Sequence, residues 1–103
     1  MQVNQKYSDN TSFGKFFKVK GTQSEIKELK GSFQASNKDI LALSVKKTKD
    51  KAVLYLFTGK TFDKFIDLTK KVFFFDLRRN VEKYMPNRPN KISIKKAKSL
   101  LEK

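Results

Sequence analysis

Lysine and aromatic residues alternate along parts of this chain, and together they have the chemistry to hold a nucleic-acid strand. A lysine ammonium attracts a phosphate, and an aromatic ring offers a face on which a base can stack. The first such run contains Lys15, Phe16, Lys18 and Lys20. The second combines Tyr55 and Phe57 with a neighbouring basic group, Lys46, Lys47, Lys49 and Lys51. These two runs are the first candidates for a nucleic-acid-binding surface.

A third basic run lies near the C-terminus, where seven lysine or arginine residues face one glutamate between positions 83 and 103. The candidates for phosphate contact in this run are Arg88, Lys91, Lys95 and Lys98. The three lysines are spaced by four and three residues, which predicts that they share one helical face. Such a face is often only solvated. Phosphate contact is the leading functional interpretation, ahead of an acidic membrane surface.

The charge of the whole chain supports a polyanionic partner. Its 103 residues include 24 Lys and Arg against 10 Asp and Glu, a formal net charge of +14. All but three of the basic residues are lysines, the exceptions being Arg78, Arg79 and Arg88. Lysine is a mobile point charge without the planar fork that reads base edges, so this composition favours attraction to the backbone with little sequence preference.

Catalytic and metal chemistry have little support in the sequence. The chain has no Cys and no His, which excludes disulfides, thiolate ligands, thiol nucleophiles and imidazole bases. Asp63 and Asp67 stand four apart, and Glu25 and Lys27 have the Glu-x-Lys spacing of some metal-dependent nucleases. Both patterns are common in a lysine-rich chain. We therefore predict no enzyme activity, no metal and no cofactor.

Alternating apolar residues predict strands over residues 13–20, 40–47 and 52–58, and the last two are joined by a short polar turn as a hairpin. In the third strand, Tyr55 and Phe57 lie on the face opposite Leu54 and Leu56. If a helix covers the leucine face, the two aromatic rings are left on the open face of the sheet. The alternatives are that the strand is buried on both sides, or that the aromatic rings face the helix.

The segment that follows the first strand admits two interpretations. Thr22 and Glu25 have the spacing of a capping box, and Ile26 and Leu29 are three apart, which indicates two turns of helix. For residues 22–35 a strand bent at Gly31 is favoured slightly, because a short and weakly apolar helix has little to stabilise it in isolation.

Residues 61–84 predict one long helix, which Pro86 and Pro89 would end. Its apolar residues form two stripes, where a surface helix normally buries one. The stripe expected on the sheet contains Phe62, Ile66, Thr69, Phe73 and Leu77. The other stripe contains Leu68, Val72 and Phe75. It is predicted to pack either against a second subunit, as a homodimer interface, or against the C-terminal segment. The run of three phenylalanines at 73–75 is interpreted as core.

The predicted fold class is α+β, with a four-stranded antiparallel sheet, one long helix and a short basic C-terminal helix capped by Ser93. The expected organisation is a flexible lead-in at 1–12, one domain at 13–85 and a proline-bounded basic segment at 86–103. Four strands followed by a helix over residues 13–84 resemble the ββββα units of the Whirly and PUR groups of nucleic-acid-binding proteins. The resemblance is one of predicted topology, and no residue of those families is carried over to this chain.

These patterns predict a non-enzymatic protein that binds single-stranded DNA or RNA through lysine–phosphate contacts and aromatic stacking, with a possible second copy of itself as partner. The alternative is a protein-interaction module, such as a small phage or mobile-element protein, which uses its basic face on an acidic or nucleic-acid-binding partner. A component of a ribonucleoprotein particle is a third hypothesis. The sequence has neither an apolar run of 18 residues nor an apolar leader, so an intracellular, cytoplasmic or nucleoid-associated protein is expected.

Overall fold

The computed structural model describes residues 15–36, 39–85 and 88–101, so the predicted lead-in and Pro86 lie outside the described residues. The strands are β1 (Phe16–Thr22), β2 (Ile40–Lys46), β3 (Lys51–Thr58) and β4 (Asn90–Ile92). The helices are α1 (Gln23–Ser36), α2 (Lys60–Lys71), α3 (Phe74–Arg79), α4 (Val81–Tyr84) and α5 (Ile94–Leu101). The class is α+β as predicted, but the order of elements differs from four strands followed by one helix. The topology that resembled the Whirly and PUR groups is therefore not retained.

The four strands form one mixed sheet in the order β2-β3-β1-β4. β3 is antiparallel to both β2 and β1, whereas β4 runs parallel to β1. The prediction of an entirely antiparallel sheet was wrong. Because the helix α1 carries the chain back along the sheet, β1 and β2 run in the same direction with β3 between them.

Both faces of the sheet are covered, which makes three layers. One face packs beneath α2, α3 and α4, and its buried residues are Phe16, Leu43, Val45, Val53, Tyr55, Phe57, Phe65, Leu77, Val81 and Met85. The other packs beneath α1 and α5, and its buried residues are Val19, Ile26, Leu29, Phe33, Ala42, Ala52, Leu54, Leu56 and Ala97. The central strand β3 is consequently buried on both sides from Ala52 to Phe57. No face of this strand is left open to solvent.

The helix α1 occupies the segment for which a bent strand was favoured, so that preference was wrong. The capping box is formed: the Thr22 amide donates to Glu25 Oε1 (3.0 Å), and the Glu25 amide donates to Thr22 Oγ1 (3.2 Å). The bond from the Thr22 amide to the carboxylate is the main cause of a lowered Glu25 pKa. Ile26, Leu29 and Phe33 then form one buried stripe at helical spacing. Packing of this stripe on the sheet supplies the stability that an isolated helix of this composition lacks.

The predicted long helix is broken at Val72, whose backbone is extended. α2 begins after Gly59, where a φ of 58° favours glycine, and it ends at Lys71. The chain then turns into the short helices α3 and α4. The break has a packing consequence, because it allows Leu77 and Val81 to enter the same core as Phe65.

The break also divides each apolar stripe between core and solvent. Of the stripe predicted on the sheet, Phe62 and Leu77 do pack in the core. Leu68 and Val72, predicted at a dimer interface, pack against the core of their own chain. Ile66 and Phe73, predicted on the sheet, are 37% and 81% exposed. Phe75 is 71% exposed, so of the three predicted interface residues it alone lies mainly in solvent. The prediction that residues 73–75 are core was wrong.

The C-terminal region adds the short strand β4 before the predicted helix. The N-cap prediction is confirmed, since Ser93 Oγ accepts a hydrogen bond from the Lys96 amide (3.1 Å). Lys91 lies in β4, opposite Lys18 of β1, whereas Lys95 and Lys98 lie in α5. The prediction that these three lysines share one helical face was therefore wrong. Among the described residues, no helix is long and apolar enough to cross a membrane.

Candidate nucleic-acid interface

The turn between β2 and β3 presents a group of exposed lysines, which we call the lysine hairpin: Lys46, Lys47, Lys49 and Lys51. Its backbone is held from outside the turn by the first residue of α1. The Gln23 side chain donates to the carbonyl oxygens of Thr48 (2.8 Å) and Lys49 (2.5 Å), and the Gln23 amide donates to that of Asp50 (2.9 Å). These bonds fix the backbone that carries the lysines. No pattern in the sequence indicated this role of Gln23.

The turn is also closed from within. Thr48 Oγ1 accepts hydrogen bonds from the amides of Asp50 (3.3 Å) and Lys51 (3.0 Å). The Lys47 amide donates to the Lys51 carbonyl oxygen across the base of the hairpin (3.0 Å). A polar threonine in a short turn is a local signal, and it agrees with the predicted hairpin.

Beside the hairpin lies an open cleft of about 570 Å³, which we call the edge cleft. It runs between α1 and the outer edge of β2, and α3 contributes one residue to it. The lining residues are Gln23, Ser24, Ile26, Lys27, Lys30, Ser44, Lys46, Ala52 and Arg78. Four of them are cationic and none is acidic, so the cleft is electropositive. Sequence reasoning identified only Lys46, because the other three cations come together only through the packing of α1 and α3 around β2.

Arg78 is the anchored cation of the edge cleft. It is half-buried, and its Nε donates to the Ser44 carbonyl oxygen (3.2 Å). β2 is an edge strand, so this bond also covers an outward carbonyl that another strand could use. The bond engages one of the five N–H donors of the guanidinium. Arg78 therefore combines a fixed position with the planar group that suits phosphate.

Lys18, a predicted phosphate ligand, lies in a partly buried polar cluster. Its Nζ donates to Glu82 Oε2 (2.6 Å), and the Tyr55 hydroxyl donates to the same oxygen (2.7 Å). The hydrogen bond from Lys18 is the main cause of a lowered Glu82 pKa. Burial, with the nearby Glu82 carboxylate, raises the Tyr55 pKa. The cluster fastens α4 to the sheet, and the charge of Lys18 is balanced within the chain.

We expect Glu82→Gln to reduce stability at neutral pH by about 1 kcal/mol, since the carboxylate is partly screened by water. The lowered pKa in the folded state means that Glu82 stabilises the fold above its unfolded-state pKa, about 4.3. This contribution is lost as the pH falls through the lower folded-state value. Urea unfolding of both proteins at several pH values should show a difference that shrinks in acid.

Asp67→Asn is the matched control for that measurement. Asp67 pairs with Lys71 at 3.2 Å on an exposed part of α2. An exposed pair at this spacing contributes little. A difference between Glu82→Gln and the parent protein that stays constant from neutral to acidic pH would contradict the assigned role of Glu82.

The other predicted site residues are dispersed. Lys20 lies two residues after Lys18, so both side chains are on the same face of the sheet. Lys91 of β4 pairs with Lys18 and therefore lies on this face as well. Lys15 stands before β1, at the end of the sheet away from the hairpin, where its amide donates to Thr58 Oγ1 (2.8 Å). Arg88, Lys95 and Lys98 are exposed in the C-terminal region. The basic residues thus form a coat that is concentrated at the hairpin and the edge cleft.

The predicted aromatic platform is buried in this fold. Phe16 and Tyr55 are 2% exposed and Phe57 is fully buried. Phe16 and Phe57 stack with ring centroids 4.8 Å apart, and Phe57 stacks on Phe65 at 4.6 Å. These rings hold the core together and have no free face for a base.

Among residues 15–36, 39–85 and 88–101, no three acidic side chains are grouped as metal ligands. Comparison of the chain with models of protein families, with curated proteins and with solved structures finds no match.

Proposed function

We propose that this protein binds nucleic acid through the phosphate backbone, with little sequence preference. The observation that carries the proposal is the edge cleft, where cations from three separate elements converge without an acidic side chain. Lys27 and Lys30 come from α1, Lys46 from β2 and Arg78 from α3. Like charges repel, and a bound anion would offset the repulsion among these four.

The lysine hairpin extends this electropositive surface beyond the edge cleft. Gln23 connects the two, because it lines the cleft and donates hydrogen bonds to carbonyl oxygens of the hairpin turn. A strand of phosphates lying along β2 would meet Lys46 first and then the other hairpin lysines. Lysines of this kind attract a backbone without reading bases, which is the reason for the proposed low sequence preference.

The test is a fluorescence-anisotropy titration of labelled single-stranded DNA, duplex DNA and RNA of equal length at several salt concentrations. Neutralising four to six phosphates predicts a slope of log K against log salt of roughly −3 to −5. Absence of binding at low salt, or a slope near zero, would refute the proposal.

A protein-interaction module is the second candidate function. The observation that favours it is the exposure of Phe73, Phe74 and Phe75, because exposed aromatic groups are typical of protein interfaces. A pulldown from nuclease-treated lysate separates the candidates: a partner that is retained without nucleic acid, and lost in the variant Phe73→Ser/Phe75→Ser, favours this second function.

A further inference from the structure

The break between α2 and α3 displays three consecutive phenylalanines. Phe73 and Phe75 are 81% and 71% exposed, and Phe74, between them, is 49% exposed. Val72 before them and Leu77 after them both pack on the core. The exposed rings are therefore held on a short segment that is anchored at each side, and they do not belong to a fraying end.

Two of these rings line an open cleft of about 350 Å³, which we call the phenylalanine cleft. Its lining residues are Phe73, Phe75, Asp76, Arg79 and Asn80. The volume is at the lower end of the range for small-ligand sites. Aromatic walls beside a guanidinium and an amide are suited to a flat ligand that carries hydrogen-bonding edges and a nearby negative charge.

The polar side of the cleft is already ordered. Asn80 Nδ2 donates to the backbone oxygen (3.0 Å) and Oδ1 (3.1 Å) of Asp76, and the Tyr84 hydroxyl donates to Asp76 Oδ2. The acidic side chain is thus held within the chain by two neighbours. Between residues 70 and 79 there are four basic residues and this one acid, so the segment as a whole is cationic.

We infer that Phe73 and Phe75 form a stacking site for an unpaired base of a single-stranded nucleic acid, with Arg79 beside the phosphate. This inference rests on the proposed function and adds a preference for single strands. Three of the five lining residues are polar, which suits a nucleotide better than a lipid tail or the apolar face of a second copy. In a duplex the bases are paired and stacked, so they cannot occupy the cleft.

The chain contains no tryptophan, so Phe75→Trp introduces a single indole in the cleft, which can be excited without exciting the tyrosines. We expect single-stranded DNA to quench this fluorescence by stacking. Heparin, a polyanion without bases, should bind the same cationic protein and leave the fluorescence largely unchanged. Equal quenching by heparin would overturn the inference.

Phe75→Leu keeps an apolar side chain and removes the aromatic face. We expect it to weaken single-stranded DNA binding about 5- to 10-fold, as loss of one stacked base does, and to leave duplex binding unchanged. The matched control is Phe74→Leu, because Phe74 does not line the cleft; its affinity for single strands should stay within about twofold of the parent protein. Unchanged melting temperatures would show that all three variants are folded.

The outcomes separate this inference from the proposed function. If no nucleic acid binds at low salt, both are wrong. If single and double strands bind, but Phe75→Leu retains its single-strand affinity, the phosphate proposal stands and the stacking site is refuted. Sedimentation that shows a dimer dispersed by Phe75→Leu would also refute it, because a second copy would then occupy the cleft.

Discussion

Replacing Lys27, Lys30 and Lys46 together by glutamine is expected to weaken single-stranded DNA binding about 100-fold at about 0.1 M salt. These lysines line the edge cleft, the proposed phosphate site. On a single strand, each lost phosphate contact reduces the slope of log K against log salt by roughly 0.7. The loss of three contacts should therefore make this slope shallower by about 2. Anisotropy titrations of the variant and the parent protein at matched salt concentrations measure both quantities.

The control variant removes the same charge elsewhere. Lys15, Lys64 and Lys96 are exposed and do not line the edge cleft. Replacing them by glutamine should lower the affinity much less, because a lysine that contacts no phosphate releases no counterions from the nucleic acid. If both triple variants lose affinity equally, binding depends on net charge alone and the edge cleft is not the site.

Phe57→Ala is expected to reduce the free energy of unfolding by about 3–5 kcal/mol. The ring is fully buried at the centre of β3 and stacks on both Phe16 and Phe65. Its removal leaves a cavity that rigid neighbouring strands cannot close. Since small domains are stable by only about 5–15 kcal/mol, this loss is a large part of the total. Urea denaturation followed by circular dichroism measures the change.

Phe75→Ala is the comparison for that measurement. Its ring is mainly in solvent, so truncation should change stability by no more than about 0.5 kcal/mol. A loss of less than about 1 kcal/mol for Phe57→Ala, or an equal loss for the two variants, would contradict the assignment of Phe57 to the core and Phe75 to the surface.

Local patterns in the sequence correctly predicted features that depend on neighbouring residues. The alternation in β3 places Tyr55 and Phe57 opposite Leu54 and Leu56, and the hairpin that precedes this strand is confirmed. Ser93 caps the last helix as expected. Period-two alternation and cap spacing are set by backbone geometry over a few residues, and distant contacts change them little.

Which face of a strand or helix is buried depended on tertiary packing. Tyr55 and Phe57 could be assigned to one face of β3, but whether that face was open depended on where the chain places α2, α3 and α4. Helical spacing likewise offered two stripes in the helix predicted over residues 61–84, and the core takes residues from both because the chain turns at Val72. A three-residue strand such as β4 carries too short a pattern to be recognised without its neighbour β1.

By itself, the sequence determined the amount and the kind of charge: an excess of 14 positive charges, carried mainly by lysine, in a chain without histidine or cysteine. Covalent structure alone sets these quantities. Only the tertiary structure decided where the charge is concentrated. Lys27, Lys46 and Arg78 are far apart in the chain and meet in one cleft because α1 and α3 pack around the edge of β2. The same packing buried the aromatic rings of β3 beneath α2, α3 and α4, and left those of residues 73–75 in solvent because they follow the break at Val72.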